Sequence, residues 1–132
     1  MLKQPVERKG SFTPIPAYIR RQVKKRNCQV CWQPYNRVYS NEKNVIRHPK
    51  EHCEHLLPRR WLNEHGIYEH HVQNLLSVCN YCHSAKLKAE DRLYQGDVLS
   101  FLQILSRLGY PVGKVVRFAA SVGLKEFLGV SL

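Results

Sequence analysis

Residues Glu51 to Lys86, EHCEHLLPRRWLNEHGIYEHHVQNLLSVCNYCHSAK, decide how this chain reads, and an upstream pair, Cys28 and Cys31, completes them. HCEHLL at 52–57 has enough apolar character for a short strand that Pro58 ends, since proline cannot donate to a strand ladder. NLLSV at 74–78 reads as a second short strand, which makes a hairpin with a long loop. Within that loop WLNEHG fits one helical turn closed by Gly66. From Asn80, a candidate helix N-cap, YCHSAKLKAEDRLYQ continues with good helix formers to Gly96 and puts Cys82 and His83 in the first turn.

Four of the five cysteines fall in CxxC pairs, Cys28 with Cys31 and Cys79 with Cys82. In a reducing compartment that pattern reads as metal ligation before disulfides. Four thiolates surround Zn²⁺ tetrahedrally at about 2.3 Å and leave no open position for substrate, so the expected site is structural. Two redox disulfide motifs, or an iron site with the same ligands, are the alternatives. Cys53 stands apart and reads as a buried apolar thiol on the first strand.

The 132 residues suit one domain with one modest core. The net charge of +11 is unevenly placed: residues 1–60 hold fourteen Lys/Arg against four Asp/Glu, and residues 61–132 hold seven against six. A basic excess of this size favours a nucleic-acid partner through counterion release. A membrane partner would show a basic amphipathic helix or a long apolar run, and the sequence has neither. MLKQPVERKGSFTP has no apolar stretch of signal-peptide length, so the expected location is a reducing cytoplasm.

Three segments are expected: a loose basic arm at 1–13, a core at 14–95 and a helical C-terminal extension at 96–132. PIPAYIRRQVKKR has Ile15, Ile19 and Val23 on one stripe of a short helix, leaving Arg20, Arg21, Lys24, Lys25 and Arg26 elsewhere on the cylinder. Those cations read as phosphate contacts, against the plain alternative of a solvated face; Arg59 and Arg60 stand at the exit of the first strand. Residues 36–50 lack a period and read as a variable loop with at most one short strand. In the extension, Asp97 caps an amphipathic helix with Val98, Phe101, Leu102, Leu105 and Leu108 on its apolar face, stopped by Gly109 and Pro111. More helix follows around Val115, Val116, Phe118, Ala119 and Leu124, as core and cover or, alternatively, a dimer interface. Trp32 and Trp61 read as packing residues.

A closed zinc site leaves the histidines unexplained. Six of the seven lie between His48 and His71, and His83 directly follows a zinc cysteine. Phosphodiester hydrolysis needs a base to activate water, a Lewis acid to neutralise developing charge, and ligands that keep that ion partly open. Glu54, His55 and His83 can supply these. Neighbours 54 and 55 point to opposite faces of a strand, so both can serve one site only where the strand twists or ends.

CQVC, then EHLLP, then NLLSVCNYCH with Lys86 three residues beyond, resembles the HNH endonucleases of the ββα-metal type, in the subgroup with two CxxC zinc knuckles that is common in phages and mobile elements. The resemblance covers about residues 14–90. It implies an α+β fold: a small ββα-metal core with structural zinc at Cys28, Cys31, Cys79 and Cys82, flanked by an N-terminal helix and C-terminal helices. It implies His55 as general base, Glu54 and His83 as ligands of one catalytic Mg²⁺, Mn²⁺ or other divalent cation, and Asn74 as the residue that pins the loop and orients His55. The activity it implies is DNA nicking, one strand per active site, in the cytoplasm of a bacterial or phage-infected cell. The basic residues Arg20, Arg21, Lys24, Lys25, Arg59, Arg60 and Lys86, the last one turn after His83, read from their charge and placement as contacts to double-stranded DNA. A homodimer, or association with a larger phage DNA-processing complex, is compatible with it. The family most often has Asp where this chain has Glu54, and the glycine pair common after the first motif is replaced. A zinc-braced nucleic-acid-binding module without catalysis explains the charge and the cysteines equally, but not Glu54, His55, Asn74 and His83. His52, His70 and His71 read as surface, with a phosphate contact or a stabiliser of the leaving oxygen as the alternative.

Overall fold

The computed structural model describes residues 14–35, 37–40, 45–48 and 50–129, with backbone alone for 37–40 and 45–48. The expected basic arm at 1–13 lies outside the described residues. The fold is mixed α+β, with two separate two-stranded antiparallel sheets. Helix α1 is Ala17–Val23, and it buries Ile19 and Val23 from the expected stripe. Strands β1 (Arg37–Ser40) and β2 (Val45–His48) then pair with Arg37 opposite His48 and Ser40 opposite Val45. The region read as a loop with at most one strand thus holds a ladder, because backbone pairing does not require side-chain alternation.

The second sheet carries the quoted stretch. Strand β3 (Glu51–His55) pairs with β4 (Leu75–Cys79), with Glu51 opposite Cys79, Glu54 opposite Leu76 and His55 opposite Leu75. The long connection holds α2 (Arg59–Glu64) and a 3₁₀ turn at Val72–Asn74. Helix α3 (Asn80–Ala85) leaves β4 at once, followed by α4 (Leu87–Tyr94), α5 (Val98–Leu108) and α6 (Val112–Ser121). The expected single helix from Asn80 to Gly96 is therefore divided at Lys86. Asn80 is also not the cap: the Cys79 sulfur accepts from the Cys82 N–H, and the Asn80 amide oxygen accepts from the Lys50 N–H at 2.8 Å.

Alternation along β3–β4 separates two layers. Cys53 and Leu75 pack with Ile19 and Val23 under α1. Leu76 and Val78, on the other face, join the main core with Leu56, Trp61, Phe101, Leu102, Leu105, Val115 and Phe118. Phe101, Leu102 and Leu105 are fully buried, each contributing about 1.5–3 kcal/mol of transfer free energy. The extension thus completes the core that the hairpin begins. Asp97 caps α5 as expected, accepting from the Ser100 N–H at 3.0 Å. Gly109 ends it at φ 100°, and a Cβ there would meet the Val30 carbonyl oxygen at 3.0 Å, so glycine satisfies both conformation and contact. Among the described residues, no helix is long and apolar enough to cross a membrane.

Candidate metal centres and their surroundings

The two CxxC turns converge: the sulfurs of Cys28, Cys31, Cys79 and Cys82 all lie within 4.8 Å of one another. Tetrahedral ligation at about 2.3 Å separates sulfurs by about 3.8 Å, and the Cys31 and Cys79 sulfurs stand 3.8 Å apart. The Cys28 sulfur accepts from the N–H groups of Val30 and Cys31 at 3.4 Å and of Cys79 at 3.2 Å. Burial raises the Cys28 thiol, but these backbone donors outweigh it and bring its pKa down to about 7. Burial and the neighbouring sulfurs push Cys82 far up. Four thiolates so close repel unless a cation sits among them, and the donor set and its dimensions fit a structural zinc ion.

Trp32, beside this cluster, corrects the expectation of a packing residue. It is 63% exposed with φ at 66°, a left-handed turn that bulky residues avoid and that carries the indole outward. Trp61 is buried as expected and stacks on His65.

A second constellation lies where the hairpin meets α3. Positions 52 and 54 share one face of β3, and both meet His83: the His52 ring stacks on it with centroids 4.9 Å apart, and Glu54 Oε1 lies 2.8 Å from His83 Nδ1. The Glu54 side chain is 3% exposed while that of His83 is 46% exposed, so the pair opens to solvent from the helix side. The hydrogen bond to Glu54 raises the His83 pKa against the effect of its partial burial. The second carboxylate oxygen, Oε2, accepts a short hydrogen bond from the buried Tyr110 hydroxyl.

His55 is the last residue of β3 and half-buried. Its Nε2 lies 3.0 Å from His70 Nδ1. Burial, then Arg59, His70 and Lys86, lower its pKa to about 3, so the imidazole is neutral near pH 7. Asn74 is buried and holds the turn that follows: its Oδ1 accepts from the Leu57 N–H at 2.8 Å, its Nδ2 donates to the Leu57 carbonyl at 3.0 Å, and its own carbonyl accepts from the Leu56 N–H at 2.7 Å. Asn74 thereby ties the residues just after β3 to the start of β4.

Lys86 is a correction. Expected to hold a phosphate, it is fully buried, donating to the His55 carbonyl at 2.6 Å and to Glu90 Oε2 at 2.9 Å. It sits where α3 gives way to α4, and that break turns the side chain into the protein. By contrast, Arg20 and Arg21 on α1, and Lys24 and Lys25 just beyond its end, are exposed. The first three line a groove of about 350 Å³ together with Ala17, Glu51 and Cys53. Arg60 is exposed with its guanidinium over the Tyr94 ring at 5.8 Å, and Arg59 is half-buried beside His55.

Sequence reasoning missed Tyr110 and misplaced His70 on the open surface. Neither residue has a spacing relation to Glu54 or His55 that a linear pattern can register. Compared with models of known protein families, with curated proteins and with solved structures, the chain has no match.

Proposed function

We propose that the chain is a metal-dependent DNA endonuclease of the HNH type, in which β3, β4 and α3 form a ββα-metal core braced by zinc on the four cysteines. One observation carries the reading: a buried carboxylate oxygen and a nitrogen of a half-exposed imidazole, from strand and helix, stand 2.8 Å apart. Two cis ligands of an octahedral ion at about 2.1 Å are separated by about 3 Å, so Glu54 and His83 fit a shared Mg²⁺ or Mn²⁺. When bound, that cation supplies Lewis acidity at the phosphate and the leaving oxygen.

The chain's own residues provide the rest. His55 is neutral near pH 7, and in the tautomer that donates Nε2–H to His70 its Nδ1 is left to accept a proton from water, as a weak base because burial holds its pKa down. Asn74, by fixing Leu56 and Leu57, holds the end of β3 from which His55 projects. The exposed cations of α1 hold phosphates along the duplex. One active site per chain cuts one strand, so a monomer nicks, and double-strand scission takes two chains or two visits.

Supercoiled plasmid with Mg²⁺ or Mn²⁺ is expected to become open circle, and His55→Ala to abolish this with zinc content intact. Undiminished nicking by that variant overturns the base assignment. The cationic groove on α1 equally favours a second reading, a zinc-braced nucleic-acid-binding module without catalysis. Salt-sensitive DNA binding with no cleavage under any divalent cation selects that reading instead.

A further inference from the structure

Glu54 is held at both oxygens by different parts of the fold. Oε1 faces His83 on α3; Oε2 accepts a hydrogen bond from the hydroxyl of Tyr110, which stands in the corner between α5 and α6, 56 residues away. The Tyr110 ring is 3% exposed. Its oxygen also lies 3.1 Å from the Cys82 carbonyl, inside the second CxxC turn. A phenol has one proton, and a carboxylate is the stronger acceptor, so the Glu54 bond takes it.

The consequence concerns how many oxygens Glu54 can offer an ion. A carboxylate with Oε2 anchored to a buried hydroxyl keeps Oε1 foremost, and swinging Oε2 onto the same ion would strain or break that hydrogen bond. Mg²⁺ and similar small octahedral ions accept one-oxygen carboxylates at about 2.1 Å, whereas Ca²⁺ takes six to eight ligands at about 2.3–2.6 Å and readily uses both oxygens of a carboxylate. Glutamate, with one more methylene than aspartate, has the reach to swing into two-oxygen ligation unless something stops it. Tyr110 is placed to stop it.

We propose that Tyr110 is a positioning residue that fixes Glu54 as a one-oxygen ligand and thereby sets the site's preference for small octahedral cations over Ca²⁺. This rests on the reading of Glu54 and His83 as a cation site. It also gives the C-terminal helices a part in the chemistry, since the corner that carries Tyr110 belongs to them.

The test is Mn²⁺ binding to the zinc-loaded full chain, followed by the loss of the free-ion paramagnetic resonance signal, with Ca²⁺ as competitor. Wild type is expected to bind one Mn²⁺ that Ca²⁺ displaces only in large excess. Tyr110→Phe, which keeps the ring, is expected to lower the Ca²⁺-to-Mn²⁺ ratio of dissociation constants by about tenfold, with zinc content unchanged. An unchanged ratio overturns the role of the tyrosine while leaving the cation site standing. Absence of Mn²⁺ binding in wild type, or binding undiminished in Glu54→Gln, overturns the cation site and the tyrosine's role with it. A second measurement does not need Tyr110→Phe to fold: the Mg²⁺-induced infrared difference spectrum of wild type, with Glu54→Gln as the blank, reports the splitting of the carboxylate stretches. A wide splitting is expected for one-oxygen ligation, and a narrow one overturns the proposal.

Discussion

Lys86 Nζ donates to the His55 carbonyl at 2.6 Å and to Glu90 at 2.9 Å from a fully buried position. A cation thus tethers the end of β3 from inside the protein, directly behind the residue assigned as base. Glu90 is its neutralising partner, one helical turn away and partly exposed.

This placement separates two kinds of basic residue. Lys86→Ala is expected to cost on the order of 3 kcal/mol, because it leaves the His55 carbonyl and Glu90 without their buried partner. It should leave the salt dependence of DNA binding unaltered, whereas each of Arg20→Ala and Arg21→Ala should reduce the log–log salt slope by about 0.9 with little change in stability. Urea melts and binding titrations across a salt series check both halves. A change in slope for Lys86→Ala would return it to the phosphate-contacting set.

Removal of zinc should undo the fold. Metal binding to such thiolate clusters is worth on the order of 10 kcal/mol at neutral pH, comparable with the total stability of a small domain. Cys28→Ser, at the fully buried sulfur with three backbone donors, should lose bound zinc and helical circular dichroism together. Metal content measured beside the far-ultraviolet spectrum reads this directly, and a well-folded zinc-free variant contradicts it.

Asn74→Ala deletes both side-chain bonds to Leu57 and leaves a buried N–H and C=O unpaired. The expected loss is about 2–3 kcal/mol. Nicking should fall by more than the folded fraction does, since the turn after His55 is what the amide holds. Activity normalised to the folded population distinguishes a local effect from general unfolding.

His55 gives stability an acid limit. Its folded pKa is about 3, against about 6.5 for an unfolded imidazole, so between those values the unfolded chain binds a proton that the native chain refuses. Stability from this group is therefore complete above pH 6.5 and declines as pH falls towards 3. The drop in melting temperature between pH 7 and pH 5 should be smaller in His55→Gln than in wild type; an equal drop contradicts the assignment.

What the sequence could disclose followed from the range of the interactions involved. Asp97 and Gly109 delimit α5 because capping acts within one turn, and CxxC turns announce themselves because their ligands are local pairs. The meeting of Glu54 with His83 was reached through family resemblance, which carries tertiary information that periodicity lacks. Lys86 was misread because its surroundings depend on the break between α3 and α4, and a run of good helix formers gives no sign of that break. Trp32 was misread for a similar reason, since a large aromatic in a small fold is ordinarily packed and only the backbone of the turn sends it outward. The β1–β2 ladder had no hydrophobic alternation to reveal it, and Tyr110 touches Glu54 across a sequence distance no motif spans.

At Gly109 a methyl group would press on the carbonyl oxygen of Val30 in the first CxxC turn at 3.0 Å, in a backbone conformation that side chains resist. A substitution there would push the corner between α5 and α6 off Val30 by a few tenths of an ångström, and with it the neighbouring phenol that reaches Glu54. The tolerances of the metal-binding half are thus machined partly by a single missing methyl group in the helical half, so neither half is a free-standing cassette that can be exchanged without refitting the other.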